Sequence, residues 1–480
     1  MTKLLITGAD VITMDPAAGE LRDADILVED GRIVSVGPGL ADTGIDAEVV
    51  DARGMIAMPG MVDTHRHLWQ TPLRGVGADW LVPDYIRGIR LQFSELYRPE
   101  DMYAGNYLGA LDALNCGVTT VVDYCHNIVT GDHAHGAVTG LRDAGIRALY
   151  GHALTPVTTN GWDETPSDGM PTGELGHYKE RLALATEIRD QYFSSPDQLL
   201  TFGICPQELP IAPMDEIAKE VHDSRALGAR IVVHANQHCV RQMYADVAHF
   251  GKADILGEDM LFVHCSFMSQ YEWQLLHDAG ASVSICTQTE MQMGMGFPQI
   301  AEATRFTHGP SIANDCVIGI GGDMIDIART TLQVSRWKSD EPGYQRWLAP
   351  QTMSWTARDA MSWLTVNGAH AAGLGDRVGS LTPGKQADIV LVDMRGISQA
   401  GWYRKDPIGA VIGQSNSGNV DTVVVAGEVV KRGGRLVHVD VDAALATMAR
   451  THDHLYEQAE ANGGVLPQPP VEIPMYKDRA

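Results

Sequence analysis

From about residue 58 to residue 375 the sequence alternates short apolar runs with amphipathic stretches, eight times over. The candidate strands are GMVDT (60–64), GVTTVVD (117–123), IRALYGHA (146–153), LLTFGIC (199–205), ARIVVH (229–234), MLFVH (260–264), ASVSIC (281–286) and CVIGIGGD (316–323). Between them lie helix-like stretches such as PEDMYAGNYLGALDALNC and MDEIAKEVHDSRALG. Strand and helix in strict alternation imply a parallel sheet, and eight repeats imply one closed into a (β/α)₈ TIM barrel. In such a barrel the chemistry sits where the strands run out at their C-terminal ends. The polar residues at those eight places therefore decide what the chain can do.

The two ends differ from the middle. ADILVEDGRIVSV reads as a hairpin turning at Asp30-Gly31, and QADIVLVDM with DTVVVAGEVVKRGGRLV repeats the style, turning near Gly427. We expect residues 1–57 and 376–440 to form one composite β-sandwich domain, and 58–375 the catalytic barrel. Residues 441–480 should add a C-terminal helix and an extended tail carrying Pro467, Pro469, Pro470 and Pro474. The long polar loop over 155–175 reads as a lid or an entrance wall.

A formal charge of -25 over 480 residues repels phosphate backbones and anionic lipid, which argues against nucleic acid and membrane partners. Seven cysteines with no CxxC pair indicate a reducing compartment. No apolar run approaches the ~20 residues of a membrane span, and the N-terminus reads as a strand rather than a signal peptide. A cytoplasmic, soluble protein is expected.

His65 and His67 stand two apart at the end of the first strand, so both side chains point the same way and can reach one metal. Imidazole nitrogen suits Zn²⁺ or Fe²⁺. His234 ends the fifth candidate strand, His264 the sixth and Asp323 the eighth. A random scatter of 18 histidines would not gather at strand ends in this way.

The entry motif MIAMPGMVDTHRH and the stretch VNGAHAAGLGDRVGSLTPGKQADIVLVD (366–393) resemble the amidohydrolase superfamily. The likeness is to the branch containing cytosine deaminase, guanine deaminase and the s-triazine hydrolases such as atrazine chlorohydrolase. It implies His65, His67, His234 and Asp323 as metal ligands, with His264 on the water or substrate. Related branches bridge two metals through a lysine on the fourth strand; LLTFGIC has none, so a mononuclear site is expected. A divalent metal, Zn²⁺ first and Fe²⁺ second, would activate water, with Asp323 as proton acceptor and His264 polarising the oxyanion. The resemblance also implies a homo-oligomer, a dimer or larger.

One position departs from that pattern. The deaminases carry a glutamate three residues after the fifth-strand histidine, and here the run is His234-Ala235-Asn236-Gln237-His238. An amide donates a hydrogen bond but cannot relay a proton at neutral pH. The leading expectation is therefore hydrolysis of a C–N bond (amide, lactam, imide or amidine-type) in a small, cyclic, nitrogen-containing substrate. Deamination or dechlorination of a heteroaromatic ring, with His238 replacing the glutamate, is one alternative. A decarboxylating lyase of the same fold is another, and a ligand-binding relic the last.

Further residues complete the expected shell. Trp69, Gln70 and Arg74 follow the metal motif in LWQTPLRG. Gln70 would read a ring edge; Arg74 would bind a carboxylate or form a structural salt bridge. His126 ends the second strand and would face substrate or back a metal ligand. Glu290, after the seventh strand, would reach the site, beside an apolar wall of Met291, Met293 and Met295. Cys265 reads as a packed thiol.

Overall fold

The computed structural model describes residues 3–157, 175, 177–195, 197–209, 211–237 and 245–467. The expected lid at 155–175 lies almost wholly outside the described residues, as do His238, Cys239 and the tail from 468.

Eight strands form one parallel sheet in sequential order: Met61–Arg66, Val118–Cys125, Arg147–Ala153, Leu200–Cys205, Arg230–Ala235, Met260–His264, Ser282–Ile285 and Ser311–Ile312. The ring is completed by a parallel bridge between Arg66 and Asp315. The Asp315 amide donates to the His65 carbonyl and the Asp315 carbonyl accepts from the His67 amide, both at 2.8 Å. The chain is thus a TIM barrel with helices between its strands, such as Pro99–Asn115 and Met214–Ala226.

The eighth strand is not where its apolar run predicts. It is the short, hydroxyl-bearing pair Ser311–Ile312. Thr64 Oγ1 bonds Ser284 Oγ at 2.7 Å and Ser311 Oγ at 2.9 Å, stitching strands one, seven and eight inside the barrel. Cys316, Val317 and Ile318 are buried in the core, but as irregular chain beyond the strand. Their apolar character fills the core without adding to the sheet.

Both termini contribute to a second sheet of nine strands. Lys3–Ile12, Glu20–Glu29, Arg32–Gly37, Glu48–Asp51 and Met55–Pro59 come from the N-terminal side. Ile389–Asp393, Val420–Val425, Glu428–Arg432 and Arg435–Leu436 come from the C-terminal side, joined through the antiparallel pairing of Met55–Pro59 with Ile389–Asp393. The hairpins turn as expected, with positive φ at Asp30 and Gly31 and again at Ala426 and Gly427. The two turns meet: a Cβ on Gly31 would lie 2.6 Å from the Ala426 carbonyl oxygen. A helix, Val441–Ala461, follows. Among the described residues no helix is long and apolar enough to cross a membrane. The six described cysteines are free and buried.

Candidate metal centre

At the C-terminal rim of the barrel, four histidines and one aspartate converge. His65 comes from the first strand and His67 directly follows it, His234 comes from the fifth, His264 from the sixth, and all are buried. The aspartate is Asp315, three residues beyond the eighth strand.

The distances are those of ligands around one ion. His65 Nε2 lies 3.2 Å from His234 Nε2 and 3.5 Å from Asp315 Oδ1, and His67 Nε2 lies 3.4 Å from the same oxygen. A tetrahedral ion with bonds of about 2.0–2.1 Å separates its ligand atoms by about 3.3–3.4 Å. The neighbouring pairs have that spacing, and His65 belongs both to a cluster with His67 and His234 and to one with His264 and Asp315, a donor set that suits a borderline-soft divalent cation. Burial holds the His65 and His67 imidazoles well below their ordinary basicity, assisted by neighbouring histidines, so both offer lone pairs rather than protons.

Two of these rings are aimed by what lies behind them. His67 Nδ1 donates to the Tyr124 carbonyl at 2.8 Å, which leaves Nε2 bare toward the centre. His234 Nδ1 donates to Glu208 Oε1 at 2.6 Å, and the ring stacks on Tyr124 with centroids 4.1 Å apart. Burial would raise the Glu208 carboxyl, but His234 and Arg90 outweigh it and hold the group below its usual range. Replacing Glu208 by glutamine should weaken zinc affinity by about 10–100-fold, read by competition with a chromophoric chelator. An unchanged affinity would show that Glu208 merely packs there.

His264 stands on the other side. Its Nε2 is 4.0 Å from Asp315 Oδ2, and its Nδ1 is 3.3 Å from Glu290 Oε1. Glu290 is fully buried and also accepts the Cys286 amide at 2.8 Å. Left-handed backbone recurs at this rim, at Asn236 (φ 50°), His264 (φ 77°), Cys265 (φ 50°) and Asp315 (φ 72°). Such conformations cost of order 1–3 kcal/mol each for non-glycine residues and cluster at working sites. Here they end the strands abruptly and turn the rim side chains inward.

Several expected residues sit elsewhere. Asp323 is not at the centre: it caps the helix Met324–Tyr344, its Oδ1 accepting the Ile325 and Asp326 amides and its Oδ2 the Ser417 amide. The misplacement follows from the eighth strand, which ends before Asp315 rather than at Asp323. Arg74 pairs with Asp112 at 3.2 Å, in a chain that continues to the fully buried Arg66. The ion pair is the structural role weighed for Arg74. Trp69 is fully buried rather than at the mouth, and its indole Nε1 donates to His126 Nδ1 at 3.0 Å. Glu290 backs His264 instead of facing substrate. Met293 and Met295 are core, whereas Met291 is exposed.

The structure brings His126 against the centre: its ring stacks on His67 at 4.1 Å with 2° between the planes. Gln70 is fully buried and reaches Tyr85. Gln237 is buried three residues past His234. Sequence reasoning missed Asp315, Glu208 and Tyr85. The short word Asn314-Asp315 after Ser311–Ile312 offers no periodic signal, while Glu208 and Tyr85 lie outside any strand end.

A parallel (β/α)₈ barrel with imidazoles and a carboxylate converging at this rim defines a metal-dependent hydrolase. The chain belongs to the amidohydrolase family, whose profile matches residues 56–430. It is an enzyme of that kind, a hydrolase of carbon–nitrogen bonds other than peptide bonds. It is 27% identical over 475 residues to the 5-methylthioadenosine/S-adenosylhomocysteine deaminase of Desulforudis audaxviator, covering 95% of this chain and 99% of the relative. It is 24% identical to the 5'-deoxyadenosine deaminase of Methanosarcina acetivorans, over 96% of this chain and 100% of that one. Its fold matches an adenosine deaminase from Xanthomonas campestris with bound zinc (TM-score 0.81, 23% identity, 95% of this chain and 98% of that one). It also matches atrazine chlorohydrolase TrzN from Arthrobacter aurescens complexed with zinc (TM-score 0.81, 22% identity, 94% and 100%).

Proposed function

We propose that one divalent ion, Zn²⁺ rather than Fe²⁺, is held by His65, His67, His234 and Asp315, and that the enzyme hydrolyses a C–N bond of a small cyclic nitrogen compound. The observation that carries this reading is that His65 Nε2 lies 3.2 Å from His234 Nε2 and 3.5 Å from Asp315 Oδ1, with His67 Nε2 3.4 Å from the same oxygen. The fourth strand, Leu200–Cys205, carries no lysine, which supports a single ion. We further expect a cytoplasmic homo-oligomer.

A bound divalent ion lowers the pKa of its water from 15.7 towards about 7, making hydroxide available at neutral pH. Asp315 turns Oδ1 to His65 and His67 and Oδ2 to His264; Oδ2 would take the proton of the attacking water and return it to the leaving nitrogen as the C–N bond breaks. His264 would donate Nε2–H to the oxyanion that develops on the attacked carbon, with Glu290 accepting from Nδ1–H and holding the ring's basicity up against burial. Gln237 holds the position of the deaminases' glutamate and can position a ring nitrogen, not protonate it. Amide, lactam, imide or amidine-type cleavage therefore fits these residues best.

A second reading is favoured by the full-length likeness to adenine-nucleoside deaminases. One variant separates the two. Gln237→Glu should raise ammonia release from aminopurines, aminopyrimidines or aminotriazines by about 10²-fold if deamination lacks only that proton relay. No gain across these rings would point to the amide-type reaction. Zinc-reconstituted protein incubated with lactams, imides and amino-heterocycles tests the proposal itself. Ring-opened acid or ammonia formed in proportion to bound zinc supports it. Turnover undiminished after complete zinc removal would overturn it.

A further inference from the structure

The barrel closes across a seam that contains little sheet. The ladder of parallel strands ends at Ser311–Ile312, and a single bridge, Arg66 with Asp315, leads back to the first strand. An ordinary strand pair is held by a row of backbone bonds. Here side chains supply part of that row, and two residues of the metal centre, His65 and Asp315, stand on its two sides.

Asp63 joins those sides. Its Oδ1 accepts the Asn314 amide at 3.1 Å and the His65 amide at 3.4 Å. One oxygen thus links the backbone of His65 to the backbone immediately before Asp315. Thr64, the next residue along the strand, stitches the seam from the inner face through Ser284 and Ser311, and Asp63 does so from the opposite face. Asn314 is held at its other atoms as well: its carbonyl accepts the Thr289 hydroxyl at 3.0 Å, and its side-chain amide donates to the Gly321 carbonyl at 2.7 Å. Asp315 follows directly in left-handed backbone (φ 72°), so a shift at Asn314 passes into the direction of the Asp315 carboxylate.

A fully buried carboxylate needs a cation nearby. Arg66 supplies it: the residue is itself fully buried, with Nη1 3.8 Å from Asp63 Oδ2 and Nη2 2.7 Å from Asp112 Oδ2. Arg74 pairs with the same Asp112 oxygen at 3.2 Å. Four charges of alternating sign therefore run from the seam to the exposed Arg74. A buried ion pair is weak evidence of stabilisation in itself, and its use here is to fix where Asp63 Oδ1 sits.

We propose that Asp63 is a positioning residue for the metal centre: by joining the His65 and Asn314 amides, its Oδ1 sets the 3.5 Å separation of His65 Nε2 and Asp315 Oδ1. The inference rests on the reading of His65 and Asp315 as ligands of one ion. It adds a residue that shapes the centre without touching the ion.

Cobalt(II) is the probe, because its visible absorption reports the geometry of the ligands around it. Asp63→Ala, in the full chain, should bind zinc about 10–100-fold more weakly in competition with a chromophoric chelator, and should shift the cobalt(II) band. Asp63→Asn keeps a carbonyl oxygen for the two amides, so it should restore the band and bring zinc affinity back to within about threefold of wild type. A role confined to stability would lower the melting temperature of the variants and leave their cobalt bands unchanged. Asp63→Ser, whose shorter side chain falls away from the two amides, takes the place of the alanine variant if that one does not fold. A wild-type band and affinity in the alanine or serine variant, or an asparagine variant no better than these, overturns the proposal. Asp315→Ala in the same titration tests the underlying reading. A cobalt band unmoved by that substitution counts against Asp315 as a ligand and not against Asp63.

Discussion

Asp315→Asn is expected to lower turnover by about 10³-fold or more, because the same carboxylate ligates the ion and accepts the water's proton. Asparagine has nearly the same shape and tolerates positive φ, so the backbone clamp between the His65 carbonyl and the His67 amide should persist. The loss would then be chemical rather than structural. Asp323→Ala is the counterpart. It should keep its zinc and its turnover while losing about 1–2 kcal/mol of stability, since it removes a helix cap and the acceptor of the Ser417 amide. Metal analysis, steady-state kinetics and thermal unfolding on both proteins check the pair. A catalytic collapse in Asp323→Ala with Asp315→Asn active would reverse the assignment.

The second large effect concerns a residue that touches no ion in this account. His264→Asn should retain stoichiometric zinc and lose about 10²–10³-fold in kcat, the usual cost of removing one preorganised oxyanion donor. Two of the ligand imidazoles are aimed independently of it, His67 by the Tyr124 carbonyl and His234 by Glu208. Zinc lost along with activity would instead make His264 a ligand.

Much of this architecture was legible in the sequence, for identifiable reasons. Seven barrel strands coincide with runs of β-branched and apolar residues that end in turn-forming or polar positions. The hairpins at Asp30-Gly31 and Ala426-Gly427 are announced by residues that accept positive φ. His65 and His67 follow from strand periodicity alone. The eighth strand was not legible because two residues of sheet, Ser311–Ile312, carry hydroxyl and apolar groups in no repeating order. The stronger apolar signal of Cys316-Val317-Ile318 comes from core packing beyond the strand, and it carried the aspartate assignment eight residues too far.

The substrate shell was less legible for a different reason. Trp69, Gln70 and Arg74 fall within six residues of sequence, yet one donates to His126, one to Tyr85 and one pairs with Asp112. A six-residue 3₁₀ segment, Leu68–Leu73, separates their directions, and no linear pattern reports it. Glu208 and Glu290, the carboxylates behind His234 and His264, are likewise set by three-dimensional approach across neighbouring strand ends.

An anomalous difference map at the zinc edge, from crystals of the zinc-loaded enzyme, addresses the central assignment most directly. One peak is expected, about 2.0–2.2 Å from Nε2 of His65, His67 and His234 and from a carboxylate oxygen of Asp315. A peak bonded to Asp323, two peaks, or zinc bound away from this rim would contradict it.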